Sequence, residues 1–287
     1  MFVISKMHFR KEMKMKTKRN ISLILVLMCT VLAVSAITVN AEETDASGNA
    51  SVGVFNKYVF RGYELSAGSI VVQPSAGISY KGFSASFWGN IDSEENPTQN
   101  YVPDRPDERS FNETDLTLSY TYAIDKVSLT GGYIYYGTKY ATETEELFLT
   151  VGYDTLLSPT LSVYRDITEY PGTYVNIAVA HSLSLVKKIT IDLGASAGYF
   201  LGDNEYWNTY ERSTGDYTGD KYKAFHDGMV KAGLTVPLAE NISVQPVAQY
   251  WFPLSGKAKK TIDGSAYNIN GKLDDTVVAG VNITLSF

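Results

Sequence analysis

From residue 42 onward the chain holds two histidines, His181 and His226, the side chains best suited to exchange a proton near neutral pH. Each has a neighbour that could complete a catalytic unit: Ser182 follows His181, and Asp227 follows His226. A nucleophile must lie within hydrogen-bond reach of its base, and a third group must hold that base. Adjacent residues on an extended strand point to opposite faces, so neither pair can cooperate if these segments are strands. No G-x-S-x-G, phosphate-binding loop or metal-ligand spacing is present. The reading is a non-enzyme with no cofactor and no metal.

The other ionisable groups are arranged differently. Lys57, Arg61, Asp92, Asp115, Glu146, Asp192, Asp227 and Lys231 fall, with Trp88, on the inward face that a period of two assigns to their segments. Charges on one face of successive strands suit a water-filled interior, where they tune ion passage or pair across the wall.

The elements that would position them are strands throughout. The C-terminal segment alternates Val277, Ala279, Val281, Ile283, Leu285 and Phe287 with Val278, Gly280, Asn282, Thr284 and Ser286. Leu116, Leu118 and Tyr120 alternate with Thr117, Ser119 and Thr121 in the same way. The expected strands are 50–61, 69–80, 82–92, 113–122, 127–138, 143–153, 160–168, 173–185, 188–201, 223–236, 241–252 and 273–287. At ~9–14 residues each has the length of a tilted strand crossing hydrocarbon. Short connections at 81, 123–126, 154–159, 186–187 and 237–240 alternate with the other set, which includes long loops at 93–112, 202–222 and 253–272. Short turns on one rim and long loops on the other are the outer-membrane barrel arrangement. The fold class is all-β: a transmembrane antiparallel up-and-down barrel of about 12 strands. Closing these at ~4.8 Å spacing and ~40° tilt gives a radius of roughly 12 Å.

Aromatic residues end the strands. Tyr80, Tyr122, Tyr153 and Phe287 close descending strands, and Phe60, Tyr135, Tyr199 and Phe252 close ascending ones. They are expected to form two girdles at the lipid interfaces. Pro74 and Pro246 lie mid-strand and predict bulges, because proline cannot donate to the ladder. Arg165 and His181 fall on the lipid face, and either a bulge or a rim position must shelter them.

The chain has 287 residues and a net charge of −6. Its first 41 residues hold seven bases and one acid; residues 42–287 hold 18 Lys or Arg and 30 Asp or Glu, a net of −12. That argues against a nucleic-acid partner. A basic lead, an apolar run over 21–39 and the small residues Val39 to Ala41 read as a secretory signal peptide over 1–41. Cleavage after Ala36 and a start at Met13 or Met15 fit the same pattern. A short polar leader, 42–49, precedes the barrel at 50–287. Cys29, the one cysteine, lies in the apolar run, so no disulfide is expected.

The stretch Asn56–Gly62, NKYVFRG, is followed by Ser-Ala-Gly, a Gln-Pro strand and then Gly82–Asp92, GFSASFWGNID. These roughly forty residues resemble the start of the Gcw-chp family of bacterial envelope proteins. The residues that carry the resemblance are Tyr58, Val59, Phe60, Arg61 and Gly62, with Trp88, Gly89 and Asn90. It implies an outer-membrane barrel and assigns no activity. The terminal strand ending on Phe287 resembles the C-terminal signal of outer-membrane barrels, which implies the barrel-assembly machinery as a partner. Neither histidine resembles the His and Ser motif of outer-membrane phospholipase A.

The expected partners are outer-membrane lipid and lipopolysaccharide, together with small hydrophilic solutes. The acidic loop residues Asp92, Glu94, Glu95, Asp104, Asp107 and Glu108, and Asp203, Glu205, Asp216 and Asp220, read as divalent-cation bridges to lipopolysaccharide, as ligand capture, or as solvated loops. The expected function is porin-like passive diffusion. A closed barrel with a structural, adhesive or surface-binding role is second, and a lipid hydrolase third.

Overall fold

A computed structural model describes residues 46–66, 68–95, 107–139, 141–211, 213–260 and 273–287. The expected signal peptide at 1–41, residues 42–45 of the leader and Asp104 lie outside the described residues.

Twelve antiparallel strands close into a barrel. In chain order its wall begins with β1 (Ala46–Phe55), after which a small inward hairpin, β2 (Tyr58–Phe60) and β3 (Tyr63–Ser66), interrupts the sequence of wall strands. The wall continues with β4 (Val71–Tyr80), β5 (Phe83–Asp92), β6 (Ser110–Ile124), β7 (Val127–Thr138), β8 (Thr144–Tyr153), β9 (Thr160–Asp166), β10 (Gly172–Ser184) and β11 (Thr190–Gly202). A second small hairpin, β12 (Asn208–Tyr210) and β13 (Tyr217–Lys221), occupies the next loop. The wall ends with β14 (Lys223–Pro237), β15 (Ile242–Pro253) and β16 (Thr276–Ser286), a five-residue helix α1 (Gly256–Lys260) lying between the last two. Closure is the pairing of β1 with β16, from Asn49 opposite Ser286 to Phe55 opposite Gly280.

The short turns and both ends of the wall share one rim, and the longer loops share the other. Leu116, Leu118, Leu147, Leu149, Leu161, Val163, Val277 and Val281 are exposed on the outer surface. Water would not hold such a belt exposed; hydrocarbon does, and a closed ladder satisfies every backbone group there. Tyr80, Tyr122, Tyr153 and Phe287 stand exposed at the short-turn rim. Tyr135, Tyr199 and Phe252 lie outward near the loop rim, with Tyr199 against Phe225 (5.1 Å) and Phe252 stacked on Tyr250 (5.5 Å).

Three details differ from the sequence reading, and one open alternative is resolved. The first strand starts at Ala46, inside the stretch read as leader, and stops at Phe55. Phe60 is therefore no girdle residue: it lies in β2, inside the barrel, with its ring 6.0 Å from Tyr136. Neither proline makes a bulge, because the register runs unshifted past Pro74 and Pro246. The bulges lie instead at Asn112 and at His226–Asp227. Arg165 and His181 both sit at rims: Arg165 pairs with Asp203 on the loop side, and His181 Nδ1 lies 2.7 Å from the Leu156 carbonyl oxygen in a short turn.

The outer belt predicts a directional effect. Leu118→Arg, near the middle of β6, should cost about 2–4 kcal/mol of folding free energy in liposomes. Ser119→Arg, facing water, should cost far less. Urea titration of both variants in liposomes measures the difference.

Candidate functional site

The β2–β3 hairpin folds into the barrel and reaches across it. Its turn is Arg61-Gly62, both with positive φ (46° and 79°), joining Phe60 to Tyr63. Two central residues with positive φ make a type I′ turn, whose twist matches a two-residue hairpin. Gly62 is also sterically required, since a Cβ there would sit 2.8 Å from the Asp227 Cβ.

Arg61 is the tip. Its guanidinium donates to both Glu146 oxygens, at 2.7 and 2.8 Å. The same group lies 4.5 to 4.9 Å from the ring centres of Tyr174, Phe60 and Tyr164. Burial works against its charge, but the Glu146 carboxylate outweighs this and holds the Arg61 pKa well above its ordinary value. Tyr136 donates to Glu146 at 2.9 Å, and Tyr174 donates to Asp227 at 3.0 Å. These phenols use the remaining lone pairs of carboxylates that would be costly to bury bare.

The rest of the hairpin is tied on other sides. Tyr58 leans on Trp88, ring centres 5.2 Å apart, and its hydroxyl donates to Glu113 at 3.3 Å. Lys57 donates to Glu64 at 2.9 Å and to Thr276 at 2.8 Å, and Thr276 donates to the second Glu64 oxygen at 3.0 Å. Tyr63 packs on His226, centres 5.0 Å apart. The His226 ring bonds the Tyr222 hydroxyl through Nδ1 at 2.7 Å, and its Nε2 has no hydrogen-bond partner among the described residues. The hairpin thus touches wall strands on several sides of the interior.

The β11–β14 bulge changes the reading of His226. Ala197 faces Gly228 and Tyr199 faces Phe225, so Gly198 alone opposes His226 and Asp227. Both side chains are fully buried. Strict alternation would have sent them to opposite faces; the extra residue turns both inward. The hydrogen-bond partner of His226 among the described residues is the Tyr222 hydroxyl.

The remaining candidates divide by height in the barrel. Asp92, fully buried near the loop rim, accepts the Glu94 N–H at 3.1 Å. Asp115 faces Trp88 across the β5–β6 ladder. Asp192 lies near the short-turn rim, accepting from Thr235 (2.5 Å), Ser182 (2.7 Å) and Gln245 (2.9 Å). Lys231 lies over Gly194. Hydroxyl pairs line this lower half: Ser51 with Ser75, Ser79 with Ser84, Thr121 with Thr130 and Thr150 with Ser162, all at 2.7 to 2.9 Å. Glu113, Glu64, Tyr136, Tyr164 and Tyr174 were missed, and His226, weighed as a base, was not placed on the inward face. Glu113 shares Asp115's parity and was legible; His226 was not.

Between the hairpin residues Lys57–Phe60 and the wall lies a cavity of about 360 Å3. Gln73, Trp88, Asp115, Gln249 and Trp251 line its wall side. The interior is therefore lined by hydroxyls on the short-turn side and crowded with charged and aromatic side chains on the loop side.

No family model matches the chain, and no curated protein matches it in sequence. Solved structures do. The NanC porin superposes with a TM-score of 0.50 at 9% identity, over 83% of this chain and 98% of that one. An outer-membrane channel of Pseudomonas putida F1 gives 0.48 at 8% identity, over 86% and 97%. The KdgM porin gives 0.47 at 12% identity, over 84% and 99%. The chain has the fold of an outer-membrane porin. With its lipid-facing belt, it is a protein of the bacterial outer membrane.

A double-mutant cycle tests the hairpin tip. Arg61→Ala leaves Glu146 buried without its partner and should destabilise the protein by about 3–5 kcal/mol. Adding Glu146→Gln should recover part of that loss, a coupling that thermal unfolding in detergent measures.

Proposed function

We propose that this barrel is a porin-like channel for passive diffusion of small hydrophilic solutes, narrowed by the Arg61 hairpin. The observation that carries this is an interior lined by hydroxyl pairs below the hairpin, together with a cavity between hairpin and wall. A purely structural barrel has no need of either. The carboxylates of Glu64, Glu113, Asp115, Glu146 and Asp227 outnumber Lys57 and Arg61 at the constriction, which favours cations over anions. The Gcw-chp resemblance belongs with this reading: its Tyr58–Gly62 motif is the hairpin itself. No catalytic role is assigned.

A closed barrel is the second reading. It is favoured by the hairpin's ties to wall strands on several sides.

Planar-bilayer recording on protein lacking residues 1–41 separates the two. Small discrete conductance steps with a cation-selective reversal potential are expected. Replacing residues 57–69 with a short Gly-Ser turn should raise the step several-fold, and Arg61→Ala should raise it less. Silence from inserted wild type, with steps only after the hairpin is removed, would establish the closed barrel.

A further inference from the structure

The cavity beside the hairpin has a chemistry more specific than a passage needs. Trp251 stands on β15 and Trp88 on β5, so indoles approach it from two parts of the wall. Tyr58 backs Trp88. The same cavity is lined by two amides and a carboxylate. Gln249 accepts the Trp251 indole N–H at 2.9 Å, which fixes the amide and leaves its NH2 to donate. Gln73 is held by a 3.1 Å bond from its NH2 to Asn90, which leaves its carbonyl oxygen to accept. Asp115 Oδ1 has no hydrogen-bond partner among the described residues.

Lys57, the cation of the cavity, is neutralised by Glu64. An anionic ligand would find no free positive charge among the described residues that line it. A hydrocarbon would leave the amides and the carboxylate unsatisfied, at a cost. A pyranose ring meets both demands. Its axial C–H faces lie flat on indole, and its equatorial hydroxyls both donate and accept at the rim. The volume of about 360 Å3 falls at the lower end of the ~300–1,000 Å3 of small-molecule sites.

We propose that this cavity is a binding site for neutral saccharides, with Trp88 and Trp251 as stacking platforms and Gln73, Gln249 and Asp115 as hydroxyl partners. It names the solute class of the proposed channel and rests on that reading for its route, though not for binding itself.

The test uses the folded full barrel in detergent and in bilayers, with maltose, cellobiose and trehalose as neutral probes and choline as a cationic one. Of the three tryptophans, Trp207 lies apart in the Phe200–Tyr222 cluster, so Trp207→Phe leaves an emission signal from the cavity alone. At millimolar concentration at least one disaccharide should shift that emission and interrupt the single-channel current. Trp251→Ala should weaken the effect by about tenfold. Gln249→Ala, a smaller change in case the indole variant fails to fold, should weaken it several-fold. An emission shift with no conductance would support the site and remove the channel. Conductance with no response to any of the three sugars would overturn the site and leave the channel standing. A response to choline alone would also overturn it, reassigning the rings and Asp115 to an organic cation.

Discussion

A sheet surrounded by hydrocarbon finds no water for the backbone groups along its edges. The first and last strands must therefore find each other, and in this chain Ala46–Phe55 and Thr276–Ser286 do so along a continuous ladder. That seam fixes everything inside it. Once the wall is closed, outward residues must be apolar and inward residues are relieved of that demand. The interior can then hold what a soluble core excludes: buried carboxylates, a guanidinium and a histidine, each tied to a polar side chain beside it. The hydroxyl pairs of the lower half and the ion pairs of the upper half are two solutions to one problem. Each lets polar side chains face one another where neither lipid nor bulk water surrounds them.

The Arg61 hairpin is the denser solution. A buried guanidinium is tolerable only when its donors are used and its charge is opposed. Glu146 does both through a bidentate contact, and the rings of Phe60, Tyr164 and Tyr174 face it. The backbone serves the same end. With Gly62 packed close against the Asp227 side chain, the main chain at the turn fits the wall as closely as the Arg61 side chain does. A hairpin fixed on several sides holds one position in the barrel.

How much of this was legible depended on what a period of two can express. Wall strands such as β6 and β16 were, because lipid on one side and water on the other imprint alternation on the sequence. Placing Lys57–Phe60 in the wall followed the same logic and failed, since those residues are a strand inside the barrel and alternate equally well there. The positive φ values of Arg61 and Gly62 mark the difference, and only the glycine hints at them in sequence. His226 failed for another reason. A single extra residue reverses parity beyond it, and nothing in Phe225–Gly228 announces the bulge. The prolines misled in the opposite sense: Pro74 and Pro246 forgo a ladder bond without displacing the register. The candidate site was thus visible as a set of charges, while the element that gathers them was not.

The hairpin hangs from β1, the seam strand, yet its ties reach Glu146, Asp227 and, 219 residues along the chain from Lys57, Thr276. Although the hairpin emerges early in synthesis, its partners are scattered over nearly the whole length that follows. It can be seated only when the last strand has arrived. In assembly, then, the plug is a late arrival from an early segment. A barrel whose hairpin is docked is one whose circle is complete, and an unfinished one leaves its best-paired charges dangling where a protease can find them.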